Sequence, residues 1–361
     1  VPVRTPLLRE GYTTGTTAAA AAKAAVLALL SAEKPEKIDL VLPSGRTASL
    51  RVEYCCRQGN QATAAVLKDA GDDPDITDGA EIRADVCRLP RSGIWLEGGK
   101  GVGRVTKPGL EIACGQSAIN PVPRRMIKDA LNDFLAVLPP GQGLGVTISI
   151  PKGEELARKT LNPRLGIVGG LSVLGTSGIV IPYSMDAYKA CIPQSLKIAR
   201  ACGQDTVVIT TGRRSERYAQ AVYELAEECF VMAGDFIDLS LSSAAELGFR
   251  KAVIWGMAGK ISKLAAGNIY THISASEVDI SLMERLAGEI GADSVTLSAL
   301  SASLSAANFM TALPPEFHQR FYDKLCAMAA VQCACYVNNR LEIECVLSDL
   351  DGKVLSRANS R

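Results

Sequence analysis

Histidine is nearly missing from this sequence. The chain has two, His272 and His318, too few for a multi-histidine metal centre and a poor basis for an imidazole triad. Cysteine is present, but without the repeated C-x-x-C pairs that hold structural zinc. Eleven thiols, an odd number that includes adjacent Cys55 and Cys56, read as reduced rather than as a disulfide framework. A charge surplus is also lacking: 39 Lys plus Arg face 38 Asp plus Glu, so no global field draws in nucleic acid or an anionic membrane. The sequence does not open with a basic segment, an apolar run and a cleavage site. Its longest charge-free apolar stretch, 165–182, is interrupted by five glycines. The expectation is a cytoplasmic protein with no membrane or nucleic-acid partner, in which local clusters hold any anionic ligand.

At 361 residues the chain exceeds what one core usually serves, and its pattern changes near residue 184. In the first part, alternating apolar positions predict strands at 38–42, 48–54, 62–67, 81–87 and 145–150. They are backed by an alanine-rich helix at 18–30 and another at 123–138 that starts on Pro123. In the second part, short apolar runs at 206–210, 230–233 and 252–255 each lead through a glycine turn into a helical segment, as parallel strands with crossover helices do. Helices at 281–290, 294–308 and 315–334 follow, then a hairpin at 341–347 and 353–356. The expected fold class is α/β: a mixed α+β domain over 1–184 that binds substrate, followed by a Rossmann-like α/β domain over 185–361.

The run GGKGVGRVTKPGL at 98–110 invites a phosphate reading. Pro108 after Lys107 blocks the helix that a phosphate loop must open, and no strand-to-helix unit follows its glycines. There remain a backbone open to close approach with Lys100, Arg104 and Lys107 available for carboxylates or phosphates, and a glycine-rich hairpin with solvated charges. Thr13, Thr14 and Thr16 precede the alanine helix, where hydroxyls either cap it or leave amides for an anion. The acidic segment at 68–79 fails the spacing of a calcium loop. Asp72 and Asp73 either face a site as proton acceptors or satisfy turn amides. Two Asn-Pro turns carry arginine, Asn120 with Arg124 and Asn162 with Arg164. The second leads into a glycine-rich run containing Gly169, Gly170 and Thr176, which suits either a cavity for a large flat ligand or a tightly packed strand pair.

Ligands of parallel sheets sit beyond the carboxyl ends of the strands. The turns there are Thr211-Gly212-Arg213, Gly234-Asp235-Phe236 and Gly256 to Gly259. A carboxylate at Asp235 is placed to take ribose hydroxyls, so an adenosine-containing cofactor is expected. His272 is either an acid–base group or a structural side chain.

These residues resemble one family, the CbiD-type cobalt-precorrin-5B methyltransferases of anaerobic cobalamin biosynthesis. The resemblance is carried by GYTTGT at 11–16, KDAGDDPDIT at 68–77, GVGRVTKPGL at 101–110 and AINPVPR at 118–124. It continues through NPRLGIVGGLSVLGTSGIV at 162–180, AGDFID at 233–238, and Gly259-Lys260-x-x-Lys263-Leu264-Ala265-x-Gly267. It implies methyl transfer from S-adenosyl-L-methionine to carbon-1 of cobalt-precorrin-5B, giving cobalt-precorrin-6A, with cobalt arriving inside the substrate and no protein metal site. The substrate's acidic rim would then meet Arg104, Thr106, Lys107, Asn120, Arg124, Asn162, Arg164, Lys260 and Lys263. Thr13, Thr14, Thr16, Gly169, Gly170 and Thr176 would complete its site. The resemblance does not assign the methyl-donor site residue by residue; the strand-end turns place it at Thr211, Gly212, Arg213, Gly234, Asp235, Phe236, Gly256 and Gly259, and Asp72, Asp73 or His272 would manage protons or charge. A homodimer is compatible with this reading. Thr17 and Ile273 depart from the family pattern, which has Cys and Ser there. A small-molecule kinase and a noncatalytic tetrapyrrole carrier are the competing readings.

Overall fold

Eight buried alanines on one 18-residue helix set the packing of the first half. The computed structural model describes residues 8–31, 34–272 and 276–361 and divides into two units, Val1–Ser184 and Met185–Arg361. The first unit runs β1 (Gly11–Tyr12), α1 (Thr14–Ser31), β2 (Lys37–Val41), β3 (Thr47–Arg51), β4 (Tyr54–Gln58), β5 (Gln61–Leu67) and β6 (Glu81–Leu89). It continues with β7 (Gly93–Gly98), β8 (Gly101–Val102), β9 (Arg104–Val105), α2 (Pro121–Leu135), β10 (Gly143–Ser149), α3 (Gly153–Ala157), β11 (Ile167–Val168), β12 (Gly170–Leu171) and β13 (Ile179–Val180). A five-stranded sheet has the order β4-β5-β6-β10-β7, antiparallel except for the β10–β7 pair. The small side chains of α1 let it lie close against Ala62, Ala64, Ile82, Ala84 and Val146 of this sheet, with Ile127 and Leu131 of α2 beside it. By length and composition α1 would also cross a membrane, but 78% of it is buried inside the protein.

Two sequence expectations change here. The strand expected over 48–54 is broken: Val52 donates to Glu36 and Glu53 to Ala65, so the chain leaves the β2–β3 hairpin and joins the main sheet as β4. The helix α2 starts at Pro121 rather than Pro123, since proline tolerates either of the first helical positions.

The second unit runs α4 (Met185–Ala201), β14 (Thr206–Thr210), α5 (Arg213–Val222), β15 (Phe230–Met232), α6 (Ile237–Glu246), β16 (Lys251–Gly256) and α7 (Ala258–Ala265). Then come α8 (Ile280–Glu289), α9 (Ser294–Leu300), α10 (Ala306–Ala312), α11 (Pro315–Tyr336), β17 (Glu342–Ser348) and β18 (Val354–Asn359). Its sheet has the order β15-β14-β16-β17-β18, parallel apart from the last pair. Strand periodicity divides the core. Val207 and Ile209 face α4, α6, α7 and α11, while Val208, Val253 and Trp255 face Ala219 of α5. The α/β class therefore stands. The expected single helix over 294–308 is two, because Ser305 accepts from the Asn308 amide and caps a new start at α10. The terminal hairpin does more than close the chain, since β17 pairs in parallel with β16.

Candidate functional site

The two glycine-rich runs of the first unit are partners. β8 pairs in parallel with β12, setting Gly101 against Gly170, and β9 pairs antiparallel with β11, setting Arg104 against Val168. A Cβ on Gly170 would overlap the Gly101 carbonyl, and one on Gly101 would overlap the Ile150 carbonyl. The glycines thus serve backbone-on-backbone packing. Their amides are used within the protein: Gly99 donates to Ile148 and Gly103 to Leu171, which leaves no phosphate cradle.

This pairing gathers the predicted polar residues. The exposed Arg104 donates to the Gly115 carbonyl at 2.9 Å and meets Glu97 at 3.4 Å. Lys107 lays its stem over Gly166 and reaches the Arg164 carbonyl at 3.5 Å. Thr106 donates through amide and hydroxyl to Gly166. Arg124 is anchored by its Nε on the Ile119 carbonyl, 2.8 Å, and by Nη2 on Ser117, 3.2 Å. Asn120 donates its amide to Val173. The buried Asn162 donates to the Gly170 carbonyl and accepts from Ser172. Gly169 and Thr176 are exposed, with Val168 and Leu174 about half exposed beside them. On this glycine-paired segment Arg104, Val168 and Leu174 are exposed, Arg104 and Val168 as cross-strand partners.

Thr13, Thr14 and Thr16 have a different part. All three are buried. Thr13 Oγ1 caps α1 through the Thr16 amide, Thr14 Oγ1 accepts from Leu174, and Thr16 Oγ1 donates to Gly178 at 2.7 Å. With the Gly15 amide donating to Leu174, the helix start holds the 172–178 loop.

The acidic segment is a set of turn bonds. Asp72 accepts from the Arg9 amide at 2.6 Å and Asp73 from the Tyr183 amide at 2.9 Å. Asp69 takes both arms of the Arg9 guanidinium, and Asp78 accepts from Ala70. Lys68, almost fully buried, pairs with Asp75 at 2.7 Å. Burial pushes the Asp75 carboxyl up, but Lys68 and the Thr77 amide and hydroxyl hold it below the usual carboxylate range. Sequence reasoning passed over Glu97 and Ser117. The Ser117 hydroxyl contacts the Glu97 carboxylate and holds its carboxyl low. No motif marks that pair, because the loop 106–116 separates them.

In the second unit, β14 lies between β15 and β16, and its connection leaves toward β15 while that of β16 leaves toward β17. The strands' carboxyl ends therefore open where the connections diverge, at Thr211-Gly212-Arg213 and Gly256–Gly259. Gly212 and Gly259 have open space around them. Gly234 needs its φ of 61° and packs under the Tyr188 hydroxyl. Asp235 accepts an ion pair from Lys260 and a hydrogen bond from the Thr271 hydroxyl at 3.3 Å, while its carbonyl takes the Thr271 amide. Lys260 also donates to Thr271 Oγ1, 3.2 Å, and the buried Lys263 donates to the Thr271 carbonyl, 3.0 Å. Burial, then the Lys263 charge, draws the Lys260 ammonium down to about 8, and Asp235 against it opposes that shift. Lys260 and Lys263 thus stand with the residues expected to hold a cofactor.

Aromatic rings flank this cluster. Tyr188, Phe236, Tyr270 and His272 follow one another with centroids 5.9, 5.4 and 6.1 Å apart, the last two pairs stacked. Position 273, a departure from the family pattern, lies outside the described residues; Thr17, the other, is buried and donates its hydroxyl to the Thr13 carbonyl. Among the described residues no group of three or more His, Cys, Asp or Glu is arranged to hold a metal ion.

Architecture and site together define a two-unit α/β protein with a glycine-paired segment in one unit and a lysine–aspartate cluster at a sheet's carboxyl edge in the other. Residues 2–182 match the CbiD family, and residues 270–359 match the family described as CbiD, C-terminal domain. The chain belongs to the CbiD family. It is 42% identical over 99% of its length to the cobalt-precorrin-5B C(1)-methyltransferase of Priestia megaterium, of which 98% is covered. It is 45% identical over 95% of its length to the protein of that name from Thermus thermophilus, 92% covered. A crystal structure of the cobalamin biosynthesis protein cbiD from Archaeoglobus fulgidus is 33% identical, covering 72% of this chain and 80% of that one, with a TM-score of 0.39.

Proposed function

We propose that this protein is an S-adenosyl-L-methionine-dependent methyltransferase acting on carbon-1 of cobalt-precorrin-5B. The observation that carries the reading is near-full-length similarity, at 42% identity, to a protein named for that reaction. The first unit suits the substrate. The reading is supported by the nearness of Lys107 to Arg164 and of Arg104 to Val168 on the paired runs: guanidinium and ammonium groups match carboxylate arms, and exposed Val168 and Leu174 offer the flat ring an apolar contact.

The second unit suits the donor. A carboxylate at Asp235 accepts diol hydroxyls, open turns at Gly212 and Gly259 admit a close ligand, and the aromatic row beside Asp235 offers a ring face. When bound, S-adenosyl-L-methionine supplies an electrophilic methyl group on sulfur. The chain's own work is to orient two reactants and exclude water, and such positioning contributes about 7–11 kcal/mol in favourable systems. Asp72 and Asp73 serve turns in this account. His272 is the candidate for a proton at the aromatic row.

Incubation with S-adenosyl-L-methionine and cobalt-precorrin-5B should add one methyl group to the substrate by mass and release S-adenosylhomocysteine. Unchanged donor with bound pigment would instead indicate a carrier. The kinase reading is not favoured, because the glycine amides it requires are hydrogen-bonded to Ile148 and Leu171.

A further inference from the structure

At the start of α2 the first unit carries a cavity of about 380 Å³ whose lining includes Arg124 and, beyond the residues named so far, Arg125 and Lys128. Its walls are Ile112, Ile119 and Pro121, and its polar rim holds Arg124, Arg125 and Lys128 against Glu111 and Asp129. The three cations come from positions i, i+1 and i+4 of one helix, which sets Arg124 and Lys128 on neighbouring turns. Arg124 is fixed in direction because two of its nitrogens are held by Ile119 and Ser117. Among the described residues neither Arg125 nor Lys128 makes an ion pair or a side-chain hydrogen bond, although Asp129 lies within one turn of both. The helix end offers few amides, since Pro121 and Pro123 have none. Recognition therefore falls on side chains.

We infer that this cavity seats a carboxylate arm of a large anionic ring compound, gripped by Arg124, Arg125 and Lys128 while the exposed Pro121 ring contacts the arm's methylenes. Arg124 donates to the Ser117 carbonyl, and Ser117 bridges to Arg104 of β9, so the cavity adjoins the segment that carries Arg104 and Lys107. The inference rests on the tetrapyrrole reading above, and it adds Arg125 and Lys128 to the binding residues. A planar guanidinium favours bidentate carboxylate contact, and the excess of one positive charge in the lining favours a singly charged arm.

Uroporphyrin I, an octacarboxylate ring, is the probe, titrated into the full chain and followed by its absorbance. The double variant R125A/K128A is expected to bind about three- to tenfold more weakly, as two partly exposed pairs would predict. It should also show a shallower salt dependence. R125K/K128R should restore most of the affinity, and excess inorganic phosphate should not displace the porphyrin. Should the alanine variant melt early, R125Q/K128Q carries the same test. Unchanged affinity, or displacement by phosphate, overturns the inference. If the variant alters porphyrin binding while wild type transfers no methyl group, the functional reading falls and the site stands. If the variant methylates cobalt-precorrin-5B with an unchanged KM, the site falls and the function stands.

Discussion

The carbonyl of Gly101 lies where a side chain on Gly170 would have to start. Two separate glycine runs are therefore one structural device, and alanine tests it directly. Gly170→Ala should lower unfolding free energy by about 1–3 kcal/mol through overpacking. Gly169→Ala, at a φ of 78° in open space, should cost about 1 kcal/mol from backbone conformation alone. Urea titration of both variants checks the order, and a larger loss at Gly169 would contradict the packing account.

Asp72 and Asp73 hold the amides of Arg9 and Tyr183. Replacing either by alanine should destabilise the first unit by about 1 kcal/mol while leaving methyl-transfer kcat within a few-fold. A hundredfold fall in kcat with unchanged melting would return that carboxylate to the chemistry.

The buried Lys68 pairs with the partly exposed Asp75. Asp75→Asn leaves the ammonium without its counter-charge and should cost about 3 kcal/mol. Because Lys68 and Thr77 hold the Asp75 carboxyl below its unfolded value, the stability it contributes is complete above about pH 4 and is lost as pH falls through the folded value. Acid titration of wild type should show this loss, and the Asp75→Asn variant should show less of it.

Asp235 and Lys260 are the test of the donor site. Asp235→Asn removes the charge that pairs with Lys260 and that the proposed ribose contact would use, so S-adenosylhomocysteine should bind about tenfold or more weakly by calorimetry, the loss of roughly one charged hydrogen bond. Equal affinity in the variant would move the donor elsewhere in the chain.

Much of the second unit was legible in the sequence. The runs containing Val207, Ile209, Ala252 and Ile254 alternate between two helix-covered faces, and such buried parallel strands announce themselves as short apolar segments. The first unit's sheet was legible for the same reason of period. What escaped were long-range pairings. Nothing local in Gly101 or Gly170 says that they meet, and Ser117 looks like any loop serine until β7 places Glu97 beside it. Asp72 showed the limit from the other side: an aspartate in a turn and an aspartate in an active site have the same letter, and the turn bond from Arg9 is visible only in the structure.

The seating of β17 beside β16 has a consequence for biosynthesis. As the polypeptide emerges from a ribosome, β16 has β14 for company but must wait through five helices for its other neighbour. During that interval an apolar strand carrying Val253, Ile254 and Trp255 presents an unsatisfied edge. Completion of this sheet is therefore a late event in synthesis, and nascent chains stalled before residue 342 should engage chaperones more than those released after residue 359.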